Sequence, residues 1–231
     1  MTDRYKKLVS NTGIIWLGTF GSKLLVFLLM PLYTAYLSTE EYGTAELITA
    51  TANLLIPLAC VGVTNAVFRF CVDRKSDKQA VFSSSVALLL CGFGVFVALS
   101  PLLLLSNHFS AYLGLIVAYV VFADVQAICA QYVRAVDKTR LFAIQGIFNT
   151  GITILLNLLF LIICKMGVTG YVLSVIVGNI LTTVFLVIAA KLWRVFSWKR
   201  IQKGLMLEML RFCAPLIPTT VCWLITDISA R

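Results

Sequence analysis

Residues 171–192 read YVLSVIVGNILTTVFLVIAAKL, an apolar run whose one charged side chain, Lys191, lies next to its end. A helix needs roughly 20 such residues to cross a hydrocarbon core of about 30 Å, so this run predicts a transmembrane helix. Six more runs of similar length occur along the 231 residues, which predicts an all-α, multi-pass membrane bundle of about seven helices. The seven runs are 12–37, 43–67, 81–105, 111–133, 144–164, 171–192 and 212–228.

The Lys and Arg side chains fall almost entirely in every second connection between these runs. Sixteen of the nineteen lie there, in 4–7, 69–78, 134–140 and 191–211. The alternate connections hold only Lys165 and the last residue, Arg231, while Lys23 lies inside the first run. Because basic residues near helix ends resist translocation, we expect the basic connections and the N-terminus to face the cytoplasm.

Composition narrows the partners that we expect. Hydrophobic residues make up 60% of the chain and charged residues 13%, with a net charge of +9. The topology explains this charge, so we expect attraction to anionic phospholipids, worth about 1 kcal/mol per basic residue, and no nucleic acid. The seven cysteines are scattered without a C-x-x-C pair, so neither a metal site nor a cofactor is expected.

One basic connection, 196–209, has the pattern of an amphipathic helix that lies flat on the inner membrane surface. It would separate a membrane lobe, 1–195, from a seventh span, 210–231. The apolar side of this helix would present Trp198, Ile201, Leu205 and Met209, and the basic side Lys199, Arg200 and Lys203.

Polar side chains repeat at helical spacing within four of the runs. Such stripes indicate either interhelical hydrogen bonds, worth about 0.6 kcal/mol each on average, or a shared wet cavity. Ionisable members favour the cavity, because Lys or Asp at mid-membrane costs roughly 2.5 to 3.5 kcal/mol. The stripes hold Thr12, Thr19, Ser22, Lys23 and Thr34 in the first run, and Glu46, Thr49, Asn53, Pro57, Cys60 and Thr64 in the second. They continue with Gln145, Asn149, Thr153 and Asn157 in the fifth run, and with Thr219, Trp223, Thr226 and Asp227 in the seventh.

Two charges of opposite sign lie at similar depth. At 1.5 Å per residue, Lys23 and Asp124 each lie roughly 15 to 17 Å from the cytoplasmic end of their own helix. A lysine at that depth cannot easily reach the headgroups, so it should meet an anion or water. We therefore expect Lys23 to contact a substrate phosphate and Asp124 to hold it between substrates; a purely structural ion pair is the alternative. Pro57 predicts a kink in the second run.

Three segments resemble the start of bacterial polysaccharide-export proteins, the lipid-linked oligosaccharide flippases of the multidrug/oligosaccharidyl-lipid/polysaccharide (MATE-like) superfamily. The segments are 21–43 (GSKLLVFLLMPLYTAYLSTEEYG), 53–58 (NLLIPL) together with 62–70 and its inner Arg69-Phe70 end, and 214–218 (APLIP) with Trp223 and Asp227. The resemblance implies two six-helix lobes around a central cavity and transport by alternating access. This chain would supply the N-terminal lobe plus helix seven, with the C-terminal lobe missing.

The resemblance implies a transporter, not an enzyme, that flips an undecaprenyl-diphosphate-linked oligosaccharide from the inner to the outer leaflet of a bacterial plasma membrane. The candidate substrate-binding residues are Thr19, Ser22, Lys23, Thr49, Asn53, Asn149 and Asn157. The candidate charge partners or coupling residues are Glu46, Asp124 and Asp227.

Two other functions stay open. A MATE-like drug or cation antiporter would use the same three acids to exchange H⁺ or Na⁺ for a cationic substrate. A membrane-embedded glycosyl or phosphoglycosyl transferase is less favoured, because such chemistry usually needs paired carboxylates or a metal site. The basic connections offer Asp73, Asp77 and Asp137 among more numerous cations, and His108 is alone on the other side.

Overall fold

The computed structural model describes residues 36–73, 76–99 and 112–216, together with positions 13, 20, 33, 218, 219, 222 and 226. These residues form helices and short connections, and the described part contains no strand. The helices are α1 (Thr39–Ala59), α2 (Val63–Val72), α3 (Lys78–Leu99), α4 (Leu113–Ala135), α5 (Thr139–Asn157), α6 (Gly167–Ala190) and α7 (Lys203–Cys213). A π-helical turn, Leu158–Ile163, extends α5.

Four helices in the described part are long and apolar enough to cross a membrane, and a bent pair could make a fifth span. The four are Lys78–Ala98, Leu113–Ala135, Thr139–Ile163 and Gly167–Ala190, and the bent pair is α1 with α2. They coincide with the second to sixth predicted runs, which confirms an all-α, multi-pass membrane fold. Most of the first run and about half of the seventh lie outside the described residues.

The bent pair has a local cause in the sequence. Ser38 caps α1 through a reciprocal pair of hydrogen bonds with Glu41, at 3.2 and 2.9 Å. Pro57 lies in the last turn of α1, where its ring removes a backbone donor. Val61 and Gly62 then adopt left-handed backbone angles, φ 50° and 68°, and the chain turns by 52° into α2. The predicted kink is confirmed, and it is a break of three residues rather than a bend within one helix.

Helix α4 is the central element of the packing. Its buried Ile116 and Val120 share an apolar cluster with Ile48 of α1, whereas Ile128 shares another with Val67 of α2. Helices α5 and α6 pack on its other sides. Because lipid tails are as apolar as the core, these contacts stabilise the bundle by close packing more than by exclusion of water.

The connections that alternate along the sequence meet at opposite ends of the bundle. At one end, which we call the basic end, Lys138 Nζ donates to the Ala190 carbonyl at 3.5 Å and Arg200 pairs with Asp77 at 2.9 Å. At the other end, the ring of Tyr33, which precedes α1, lies 5.1 Å from the ring of Tyr171, which is near the start of α6. The predicted alternation of helix directions fits this arrangement, and the side of the membrane stays a prediction.

The segment 196–209 is not the single amphipathic helix that the sequence predicts. It contains the short turn Trp198–Arg200, extended residues 201–202 and the first part of α7, which runs past residue 210 to Cys213. The reason is a competing set of contacts with α3. The Ser197 N–H donates to Ser83 Oγ at 3.0 Å, the Gln202 N–H donates to Ser84 Oγ at 3.2 Å, and Met209 is fully buried. The division into three segments stays a prediction.

Candidate functional site

Asp124 is the most unusual side chain in the described interior. It lies midway along α4 with no exposed surface, and neither carboxyl oxygen has a hydrogen-bond partner among the described residues. The thiol of Cys60, at the α1–α2 break, is close enough to interact with this carboxyl group, and it donates a weak hydrogen bond to the Pro57 carbonyl at 4.0 Å. Buried polar groups in folded proteins nearly always have partners, so this carboxyl group marks a place where a cation or a donor is needed.

The α1–α2 break next to Asp124 is held tightly by other helices. A Cβ atom on Gly92 of α3 would overlap the Ala59 carbonyl oxygen, so α3 approaches the end of α1 at its backbone. The Cys213 thiol of α7 donates to the Gly62 carbonyl at 3.2 Å. Helices α3 and α7 therefore contact the break, and Asp124 on α4 lies near an irregular segment rather than a regular helix.

The polar row on α5 faces its neighbouring helices. Gln126 of α4 donates its side-chain amide to Gln145 Oε1 at 2.7 Å, and Thr182 of α6 donates to Asn149 Oδ1 at 3.0 Å. Asn157 is fully buried; its amide donates to the Thr153 carbonyl at 2.9 Å, and its Oδ1 has no partner in the described part of the chain. This geometry supports the hydrogen-bonding alternative for Asn149. A substrate-binding role for Asn149 and Asn157 stays a prediction.

The stripe on α1 does not share one environment. Thr49 is buried and turns its hydroxyl to the carbonyls of Ala45 and Glu46, at 3.1 and 3.0 Å. Glu46 is half-buried and accepts a long hydrogen bond, 3.4 Å, from the Tyr42 hydroxyl. Asn53 is exposed. Only part of this stripe therefore faces the interior with Cys60.

Four of the candidate residues, Thr19, Ser22, Lys23 and Asp227, lie outside the described residues. The proposed pairing of Lys23 with Asp124 is therefore a prediction that rests on Asp124 alone. In the described ranges, no group of three His, Cys, Asp or Glu side chains is arranged to hold a metal ion.

Sequence reasoning missed an aromatic contact at the basic end. The guanidinium carbon of Arg134 lies 4.9 Å from the ring centre of Phe68 and 5.4 Å from that of Phe142. Arg69 lies 5.1 Å from the ring centre of Phe212. In the sequence these arginines indicate only the topology. The phenylalanines that they contact lie on other helices, so the spacing of residues does not predict the pairing.

Asp77 shows what an ordinary charge at the same end looks like. Its carboxylate accepts from the Gln79 N–H at 2.9 Å and pairs with Arg200. The Gln79 N–H and then the Arg200 guanidinium lower the pKa of Asp77 from its usual 3.8. Both partners are about half exposed, so the pair is solvated.

In the part of the chain that the structure describes, these features define a multi-pass helical membrane protein with a bent helix pair and a buried acid whose carboxyl group lacks a hydrogen bond. The chain belongs to the polysaccharide biosynthesis protein family, whose family model matches residues 8–230. No curated protein sequence is significantly similar to it.

Solved structures of MATE proteins share the fold. An outward-facing multidrug resistance MATE family transporter of the MOP superfamily superposes with a TM-score of 0.72 at 15% identity, over 94% of this chain and 52% of that one. A MATE structure in the straight conformation gives 0.74 at 16% identity, over 97% and 54%. The chain thus spans about half the length of these transporters.

Proposed function

We propose that this protein is one lobe of a membrane transporter that flips an undecaprenyl-diphosphate-linked oligosaccharide from the inner to the outer leaflet by alternating access. The observation that carries the proposal is the family match over 8–230 on a fold shared with half of a MATE transporter. The proposed setting is a bacterial plasma membrane with the N-terminus in the cytoplasm. A C-terminal lobe, as a partner or as a continuation, would close the cavity, and no enzymatic step is proposed.

The charge arrangement suits an anionic lipid-linked substrate. Moving one negative charge out of an inside-negative cell is favoured by about 2.3 kcal/mol per 100 mV. Inside the bundle the diphosphate needs a cation, and we assign that contact to Lys23. Asp124, buried and without a geometric hydrogen bond in the described residues, would hold the ammonium group between substrates. Anionic phospholipids at the basic end are the other proposed partners.

Translocation assays on variants of the two-lobe transporter test this proposal. At matched membrane abundance, Lys23→Ala should abolish transport and Lys23→Arg should keep part of it. The double swap of Lys23→Asp with Asp124→Lys should restore insertion without restoring transport, since the cation is then on the wrong helix. Lys165→Asn is the control, because Lys165 is exposed in a connection and Asn tolerates its left-handed backbone. Normal transport by Lys23→Ala would contradict the assignment of the substrate contact to Lys23.

A drug or cation antiporter is the second candidate, and the MATE likeness together with the buried acid supports it. In that case Asp124 would exchange a proton or Na⁺ for a cationic drug. Efflux of a fluorescent cation by the wild type, with none after Asp124→Asn, would favour this function. If the wild type shows no efflux, the antiporter is excluded and the flippase remains the favoured function.

A further inference from the structure

Arg134 differs from the other described cations at the basic end because it lies against two aromatic rings, whereas Arg69 lies against one, that of Phe212. Arg200 is paired with Asp77, and Lys138 Nζ donates to the Ala190 carbonyl at the end of α6. Arg134 lies in the last turn of α4, is exposed, and forms no ion pair with a described carboxylate. Its contacts are two aromatic rings from different helices, Phe68 on α2 and Phe142 on α5.

The two rings define what this guanidinium group can bind. Aromatic contacts fix the position of the guanidinium plane, while its N–H groups project from the edge of that plane. A fixed planar fork matches the paired oxygens of a phosphate, whereas a lysine at the same place would offer only a flexible point charge. Arg134 also lies in the last turn of a helix long and apolar enough to span a membrane, so we expect the charge near the level of the lipid headgroups.

We propose that Arg134, held by Phe68 and Phe142, is the inner-side contact for the diphosphate of a polyprenyl-diphosphate lipid. This inference rests on the proposed function, and it adds the place where the lipid headgroup first meets the protein. Along α4, Arg134 and Asp124 are ten residues apart, about 15 Å. The route would therefore lead from an exposed cation at the surface to Lys23 and Asp124 at mid-depth.

A structural role makes a different forecast. If Arg134 only ties α2, α4 and α5 together, its loss should lower the thermal stability and leave lipid binding unchanged. In that case the loss of Phe68 or Phe142 should lower the thermal stability as much as the loss of the Arg134 charge. Arg134→Lys separates the two roles, since it keeps a cation at the end of α4, where the helix dipole favours one, and loses the planar fork.

The experiment measures lipid affinity of the full natural chain in nanodiscs of neutral phosphatidylcholine. The probe is undecaprenyl diphosphate, and the competitors are phosphatidylglycerol and inorganic pyrophosphate. The variants are Arg134→Gln, Arg134→Lys and Phe142→Leu. The matched control is Arg140→Gln, which removes an exposed cation from the first turn of α5 that contacts no ring in the described part. Thermal unfolding is recorded for each variant.

Both Arg134 variants should raise the Kd for undecaprenyl diphosphate by about tenfold or more, Phe142→Leu by less, and Arg140→Gln by under about twofold. Pyrophosphate should compete in the wild type, and phosphatidylglycerol should not. Equal loss in Arg134→Gln and Arg140→Gln, or equal competition by phosphatidylglycerol, would overturn the site in favour of general attraction to anionic lipid. If the Arg134 variants kept their affinity for undecaprenyl diphosphate and lost thermal stability, the lipid contact would be wrong and Arg134 would have a structural role. If the wild type itself bound no diphosphate lipid, the proposed function would fail as well.

Discussion

Two faces of α4 treat polar side chains in opposite ways. Gln126 faces α5 and donates a 2.7 Å hydrogen bond to Gln145, part of an interface where Thr182 also finds Asn149. Asp124, two residues earlier, faces the α1–α2 break and has no hydrogen-bond partner among the described residues. On the first face the two glutamine side chains bond to each other, whereas on the second the carboxyl group lacks a hydrogen bond. The two faces therefore distinguish polar residues that join helices from a buried acid that needs a ligand or a neighbouring charge.

Replacing the orphaned acid should have the largest effect on activity. Asp124→Asn keeps the size of the side chain and removes the buried charge, so we expect membrane abundance to stay equal or to rise. Transport should fall at least about tenfold, which corresponds to ~1.4 kcal/mol of transition-state stabilisation. The measurement is translocation per molecule by the two-lobe transporter. Full transport by Asp124→Asn would mean that transport needs no charge on this face, and the proposed difference between the two faces of α4 would be wrong.

The packing around the break should be the next most sensitive feature. Gly92→Ala places a methyl group on the Ala59 carbonyl, and the resulting backbone shift should cost about 1 to 3 kcal/mol. Gly94→Ala is the matched control, because a Cβ atom there meets nothing within 4 Å. Thermal unfolding in detergent distinguishes the two. Equal stability of both variants would show that α3 is free to move away from the break.

The satisfied face gives a smaller and different effect. Thr182→Val removes the donor to Asn149, so we expect a loss of about 0.6 kcal/mol of stability, the average for such contacts. Transport per molecule should not change. Asn149→Ala should behave in the same way if its role is structural. A transport defect in Asn149→Ala at unchanged stability would instead support the substrate contact that the sequence predicts.

The helices could be predicted from the sequence because apolar length alone determines which segments cross a membrane. The kink at Pro57 followed from a missing backbone donor. The partners of the polar stripes could not be predicted, because helical spacing shows which residues share a face but not which helix that face meets. The same limit hid the rings around Arg134. The segment 196–209 was predicted as one helix because its pattern is amphipathic, and the serines on α3 that bind its backbone are far away in sequence.

The smallest expected effect concerns the solvated pair at the basic end, which is the reference for an ordinary charge. The pKa of Asp77 is lower in the folded state than its usual 3.8, so its contribution to stability is present above that value and is lost as the pH falls below it. Because Asp77 and Arg200 are about half exposed, we expect Asp77→Asn to cost only ~0.2 to 1 kcal/mol at pH 7. High salt should shrink the Arg200 part of this difference, and the difference should vanish near pH 2. Thermal unfolding of both proteins at the two pH values is the measurement. A cost that persisted at low pH would assign the effect to packing, and Asp77 would then no longer serve as the solvated counterpart of Asp124.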